Sequence, residues 1–296
     1  MSRASSTSVR ASDRERAGAI DLHLHTTASD GRSSPGDLVH EARHAGLTLI
    51  AVTDHDTTAG LADAASAAKG RGIDTVPGIE ITAVHDGGDL HVLGYFFDPT
   101  NPALSTFLVR QREDRRRRVL EMADRLDRLG VAVDRTAVLE RAAGAEGRAI
   151  GRPMLAEALR RAGHVRSIDE AFDRWLGEGR PAYIAREGAP PRLVLELIAG
   201  AGGLSSLAHP GKLRRDELIP SLVDAGLSAL EAHHPDHDAA DVGRYRQMAS
   251  TCRLLVTGGS DYHGPGSGRT SGLGRVTLPR DDFLRLAERA GWSGGS

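Results

Sequence analysis

At 296 residues, with 38 basic and 40 acidic side chains, the chain is long enough to bury a sizeable core as one large α/β domain or two ordinary ones. The near-neutral balance gives no bulk electrostatic pull toward nucleic acid or membrane, although local patches can still act. A single cysteine, Cys252, excludes an intramolecular disulfide and any thiolate-rich zinc site and fits a reducing cytoplasm, and no apolar run reaches the roughly 20 residues that a bilayer span needs.

In chain order, residues 1–18 are polar and lack an apolar signal core, so they are expected to form a disordered tail. Short runs rich in Val, Ile and Leu, bounded by turn residues, predict strands at 19–25, 48–56, 74–82, 89–97, 202–210, 227–235 and 253–263. Helical patterns such as "SPGDLVHEARHAG" and "PPRLVLELIAGAG" separate most of them. This alternation predicts an α/β fold with a mainly parallel sheet, and so many repeats fit a closed barrel. Between 82 and 89 the chain is too short for a parallel crossover, so "IEIT" and "LHVL" are expected to pair as a hairpin. The segment 100–189 differs, being rich in Arg, Ala and Glu and mostly helical in period, and is expected to be an inserted helical subdomain. Within it, 111–130 places Val119, Leu120, Met122, Ala123, Leu126 and Leu129 on one stripe of a charged helix. The cluster Arg115–Arg118 could bind phosphate or RNA; its simpler reading is a solvated face paired with Glu113, Asp114 and Glu121.

Chemistry collects at the strand ends. In "IDLHLHTTASDG" alternate residues share a face, so Asp21, His23 and His25 point one way and Leu22 and Leu24 the other. A two-histidine comb fills a core poorly and suits a metal ion well. His55, His209, His234 and His263 also fall near C-terminal strand ends, the functional face of a barrel. Carboxylates accompany them: Asp30, Asp54, Asp56, Glu80 and Asp261. His91 reaches the same rim only if its strand runs back in the hairpin. Imidazole and carboxylate donors suit zinc, manganese or iron, and their number exceeds what one ion needs, implying two or three divalent ions. Asp56 or Thr57 is expected to cap the following helix, and Asp54 to orient a ligand imidazole. His40, His44, His85 and His164 carry no supporting pattern.

The ordered set "DLHLHTTASDG", "AVTDHDTTAG", "VPGIEIT", "HVLGYFFD", "LAHPGK" and "GSDYHG" resembles the motifs of the PHP (polymerase and histidinol phosphatase) superfamily. The similarity covers about 19–99 and 190–280 and is strongest to the stand-alone phosphoesterase branch, with its nucleoside 3′,5′-bisphosphate phosphatases and 5′–3′ exoribonuclease. It implies a distorted seven-stranded TIM-like barrel formed by 19–99 and 190–290. It further implies three metal sites: His23, His25, Glu80 and Asp261; then Glu80, His91 and His209; then Asp30, His55 and His263. A hydroxide bridging two ions would attack phosphorus, which gives Glu80 and Asp261 catalytic roles.

Phosphate recognition needs further cations. Arg152 in "IGRPMLAEAL" stands before a helix whose Pro153 fits the first turn, a natural anion site. The resemblance implies a histidine at the position where this chain has Met154. Lys212 and His234 follow strands on the same face and are candidate substrate or leaving-group contacts. The expected activity is hydrolysis of a phosphomonoester of a small phosphorylated metabolite, a nucleotide or nucleoside bisphosphate, with no membrane or obligate protein partner. Alternatives are a 5′–3′ exonuclease on short RNA, and phosphatases for histidinol phosphate or a biosynthetic nucleoside phosphate. An amidohydrolase is disfavoured by "SDYH", and a non-catalytic module by the intact ligand set.

Overall fold

A computed structural model describes residues 18–143, 147–267 and 272–294; apart from Gly18, the expected N-terminal tail lies outside the described residues. The strands are β1 (Ala19–Leu24), β2 (Leu47–Val52), β3 (Asp74–His85), β4 (Gly88–Tyr95), β5 (Leu204–Leu207), β6 (Ala229–His233) and β7 (Leu255–Gly258). They form one mostly parallel sheet in sequence order. β4 is antiparallel to both β3 and β5. The sequence anticipated the first of these reversals. The second follows from it, because β5 resumes the common direction beside a reversed strand. Past the ends of the sheet, Leu24 pairs with Tyr262 in an isolated parallel bridge.

The hairpin turns on Asp86 and Gly87, both at positive φ (50° and 79°). That is the backbone of a type I′ turn, which Asp-Gly adopts readily. Its register sets Thr82 opposite His91 and Glu80 opposite Leu93. Glu80 and His91 are therefore diagonal neighbours on one face.

Helices α1 (Pro35–His44), α2 (Leu61–Ala68), α3 (Pro102–Arg128), α4 (Arg135–Ala143), α5 (Arg152–Arg161), α6 (Ile168–Ala171), α7 (Pro191–Gly200), α8 (Pro210–Leu213), α9 (Ile219–Asp224), α10 (Ala239–Thr251) and α11 (Arg280–Ala290) complete the chain. Leu24, Ile50 and Val52 pack on Leu38, Val39 and Ala42 of α1 and Ala64 of α2. Ile20 and Leu22 meet Phe283 and Leu286 of α11. Burying such side chains stabilises by roughly 1.5–3 kcal/mol each, and it fixes which face of each strand is left for chemistry. None of the described helices is long and apolar enough to cross a membrane.

The helices between β4 and β5 have a core of their own, with Met122, Ala123 and Leu126 of α3 against Leu155, Ala156 and Leu159 of α5. The predicted stripe on α3 holds at Val119, Met122, Ala123 and Leu126, whereas Leu129 is 46% exposed. Leu129 is already the residue that ends the helix. Arg117 pairs with Asp114 and Glu121 as the solvated-face reading requires. Arg115 and Arg118 depart from that reading, since both are buried and turned inward on the α3 face that packs against the sheet.

Candidate metal centre

Nine side chains carried by six strands and the loops that follow them meet on one rim. His23 lies in β1, with His25 just beyond it; Glu80 lies in β3 and His91 in the returning β4. His55 follows β2 and forms an isolated bridge with Glu80. His209 follows β5, and Asp261 and His263 follow β7. His209 and Asp261 sit at positive φ, 31° and 49°. Aspartate tolerates that region; a histidine there is strained and must be held by its surroundings.

Glu80 is the hub. Its Oε2 is 3.4 Å from His23 Nε2, 3.3 Å from His25 Nε2 and 3.1 Å from His55 Nδ1. Its Oε1 is 2.7 Å from His91 Nδ1 and 3.1 Å from His209 Nε2. Asp261 Oδ1 approaches His23 Nε2 at 3.4 Å and His25 Nε2 at 3.3 Å. Asp30 faces His263 Nε2 at 3.3 Å and His55 Nε2 at 3.8 Å. Three groups bring one ligand atom per residue within 4.8 Å: His25, Asp30, His55 and His263; His23, His25 and Asp261; His55, Glu80 and His91. His209 stands outside these groups and contacts the cluster through Glu80.

The donors fit divalent ions. Both ring nitrogens of His25, and Nδ1 of His55 and of His91, are buried without a hydrogen-bond partner; buried lone pairs aimed at one another call for a cation. The carboxylates draw positive charge into the cluster. Burial opposes a charged His25, yet Asp261 and Glu80 beside it push its pKa up to about 9. Burial likewise opposes an ionised Glu80, but His55, His91 and His23 hold it well below the usual carboxylate range.

Other expectations divide. His234 reaches the rim, with Nε2 3.5 Å from Asp261 Oδ2. An irregularity in the β6–β7 register at this point accompanies a turn of His233 outward, where its Nε2 lies 3.0 Å from Arg246 on α10. Asp54 orients no imidazole: it accepts from Thr26 N–H at 2.8 Å and Ser29 Oγ at 2.6 Å, bracing the loop that carries Asp30. Asp56 does not cap α2, whose N-cap is Gly60 without a side-chain bond. Asp56 instead accepts from Thr82 N–H at 2.9 Å and pairs with Arg115 and Arg186. Thr57 accepts from Ala59 N–H and donates to Gly147. His44 and His164 bond backbone carbonyls, of His40 and Ala132, away from the rim.

The rim opens into a cavity of about 1190 Å³ whose wall includes Arg115, Arg118, Arg152, Arg186, Lys212 and His234. Arg152 leads α5 as expected, and its partner is Asp89 at 3.1 Å. Arg118 and Arg186 approach the same carboxylate at 3.7 and 3.6 Å. Burial raises the Asp89 pKa, but Arg186, Arg152 and Arg118 together hold it below the usual range. Four guanidiniums thus share Asp56 and Asp89, which leaves surplus positive charge beside the rim. Lys212 is half exposed, 3.9 Å from Asp236. Met154 packs on Val119 and Ile150 and gives the wall an apolar patch.

Sequence reasoning missed Glu231, Asp89 and Arg186. Glu231 left a signal, a lone carboxylate inside the apolar run "LSALEAHHP". The other two left none.

The PHP domain family matches residues 21–147. A 3′,5′-nucleoside bisphosphate phosphatase of Chromobacterium violaceum is 33% identical over 254 residues, 84% of this chain and 88% of its own length. The chain belongs to the PHP family. A 5′-3′ exoribonuclease of Haemophilus influenzae is 36% identical over 257 residues, 83% of this chain and 90% of that protein. Among solved structures, a candidate metal-dependent phosphoesterase of Bifidobacterium adolescentis matches with a TM-score of 0.85 and 34% identity, covering 92% of this chain and 96% of the other. These matches take in the helices between β4 and β5 as well as the PHP strands.

Proposed function

We propose that this PHP protein is a metal-dependent phosphoesterase that releases phosphate from a small phosphorylated metabolite, a nucleotide or nucleoside bisphosphate. One observation carries the reading: the two oxygens of Glu80 face separate nitrogen sets, beside a cavity walled by arginines. His23, His25, Glu80 and Asp261 would hold one ion, Glu80, His91 and His209 a second, and Asp30, His55 and His263 a third. Manganese, iron and zinc all suit this donor set. When bound, the ions supply Lewis-acid polarisation of phosphoryl oxygens and activation of water.

The chain's own groups do the rest. Arg152, at the head of α5, and Lys212 bind and orient the anionic substrate, with Arg118 supplying positive charge behind them. Asp56 and Asp89 fix the guanidiniums in place before substrate arrives, so little reorganisation is left to the reaction. His234 Nδ1 accepts from Asp236 N–H at 3.1 Å, so its proton sits on Nε2, which lies beside Asp261. From there the Nε2–H can donate a hydrogen bond to the departing oxygen. The Leu24–Tyr262 bridge supports reading the sheet as a distorted barrel, and the separate core of α3 and α5 supports reading 100–189 as the substrate-binding insertion.

Exoribonuclease action on short RNA is the second reading, favoured by exposed Arg160 and Arg161 on the cavity mouth. Against it, Arg115 and Arg118 are buried in the cavity wall and committed to Asp56 and Asp89 rather than laid out as a track for a polyanion. The test is phosphate release from 3′,5′-bisphosphates, nucleoside monophosphates, histidinol phosphate and short RNA, with protein loaded with Mn, Fe or Zn, beside Glu80→Gln. Metal-dependent release lost in the variant is the expected result. Preference for oligonucleotides with steep salt dependence would move the reading to the nuclease. Silence on every substrate with ions bound would move it to a binding role.

A further inference from the structure

The metal-site reading leaves the fully buried carboxylate of Glu231 without a task. Glu231 stands in the middle of β6 with no exposed surface, and each of its oxygens goes to a different histidine of the rim. Oε1 lies 2.9 Å from His23 Nδ1. Oε2 accepts the backbone N–H of His209 at 2.7 Å.

The two contacts do different things. An ionised carboxylate can only accept, so the nitrogen facing it, Nδ1 of His23, must be the one that donates. The other nitrogen, Nε2, is then presented to Glu80 and Asp261, each 3.4 Å away. At His209 the contact is to the main chain, in the strained left-handed conformation with φ 31° and ψ 58°. A charge-assisted bond to that N–H holds a conformation that a histidine would otherwise leave. The loop is gripped a second time two residues on, where Gly211 N–H donates to His237 Nε2 at 3.0 Å. The held backbone directs His209 Nε2 to Glu80 Oε1 at 3.1 Å.

We propose that Glu231 is a positioning residue for two metal sites at once, orienting His23 through its ring and His209 through its backbone. This rests on the metal-site assignment above. One carboxylate in β6 thereby ties a ligand of β1 to a ligand of the β5 loop, so a change at either site is felt at the other. Carboxylates behind ligand histidines typically set metal affinity by 10- to 100-fold.

The test uses the full chain titrated with Zn²⁺ by calorimetry, with bound metal counted by mass spectrometry and the histidine ¹⁵N–¹H couplings recorded by NMR on the Zn-loaded protein. Wild type is expected to show His23 protonated at Nδ1. Glu231→Gln can still accept from His209 N–H but now offers an N–H to His23, reversing the required donor. Zn²⁺ affinity of one site should fall about 10- to 100-fold, and the Nδ1–H signal of His23 should shift upfield as it loses its carboxylate acceptor, with circular dichroism unchanged. Should Glu231→Gln fail to fold, Glu231→Asp, still an acceptor but one methylene shorter, takes its place with an expected loss of about 10-fold. Unchanged Zn²⁺ affinity and an unchanged His23 signal in the folded variant would overturn the proposal while leaving the metal centre intact. Absence of Zn²⁺ binding by wild type would instead overturn the metal-site reading itself.

Discussion

Replacing Asp56 by asparagine tests whether the cavity wall is an electrostatic unit. Asparagine keeps the shape, tolerates the left-handed backbone at φ 52° and can still accept from Thr82 N–H. The negative charge that Arg115 and Arg186 share is lost. Removing one partner of a buried ion pair costs about 3–5 kcal/mol, because the remaining charge stays buried and uncompensated. Asp89 lies 3.6 Å from Arg186 and relieves part of this, which places the expectation near 3 kcal/mol, at the lower end. With an unfolding entropy of about 2.1 cal/mol/K per residue, a chain of this length loses about 5 °C in Tm per 3 kcal/mol. Differential scanning calorimetry at pH 7 reads this directly. Adding Arg186→Met should recover part of the loss, since it removes one uncompensated charge. A Tm within 1 °C of wild type, or strictly additive effects in the pair, would refute the reasoning.

The remaining expectations are these. Glu80→Gln should lower the metal content by more than one ion per chain, because both oxygens face ligand sets; elemental analysis decides, and loss of a single ion would contradict a bridging role. Arg152→Ala should raise KM by about 10- to 100-fold, the worth of a charge-assisted hydrogen bond, with a smaller effect on kcat, and Arg152→Lys should restore only part of it. Gly211→Ala would put a Cβ 2.6 Å from the His237 ring, displacing the clamp on the His209 loop, so a loss of about 1–3 kcal/mol in thermal unfolding is expected. Glu157 bonds Arg160 and Arg161, which push its pKa from 4.5 down to about 2. Its contribution to stability is present above pH 4.5 and is lost as pH falls toward 2, so the Tm gap between wild type and Glu157→Gln should narrow as unfolding is followed from pH 6 to pH 3.

Much of the centre was legible in the sequence because its residue types repeat at strand ends. His23 and His25 share a face by the two-residue period of extended backbone, and Leu22 and Leu24 are driven to the helices for the same reason. The short link between β3 and β4 forced the hairpin that brings His91 to Glu80 at 2.7 Å. These are consequences of covalent geometry and local hydrophobic order, and they survive without knowledge of the partners.

Pairings across long stretches of chain were decided only by tertiary structure. Arg115 and Arg118 read as a solvated helix face, since period and charge describe a helix but not the element laid against it; packing of α3 on the sheet buries them against Asp56 and Asp89. Asp54 and Asp56, two residues apart in one motif, took unrelated tasks because one faces the β1 loop and the other faces α3. His234 was placed on the rim from the sequence, but the slip in the β6–β7 register that accompanies the outward turn of its neighbour His233 was not. Glu231 gained its two contacts, to residues 208 and 22 positions away, only when β6 came to lie across from β1. The local pattern sets which way a side chain points. What a buried charge meets there is set by the elements that close over it, and a charge in a low-dielectric interior is governed by that meeting.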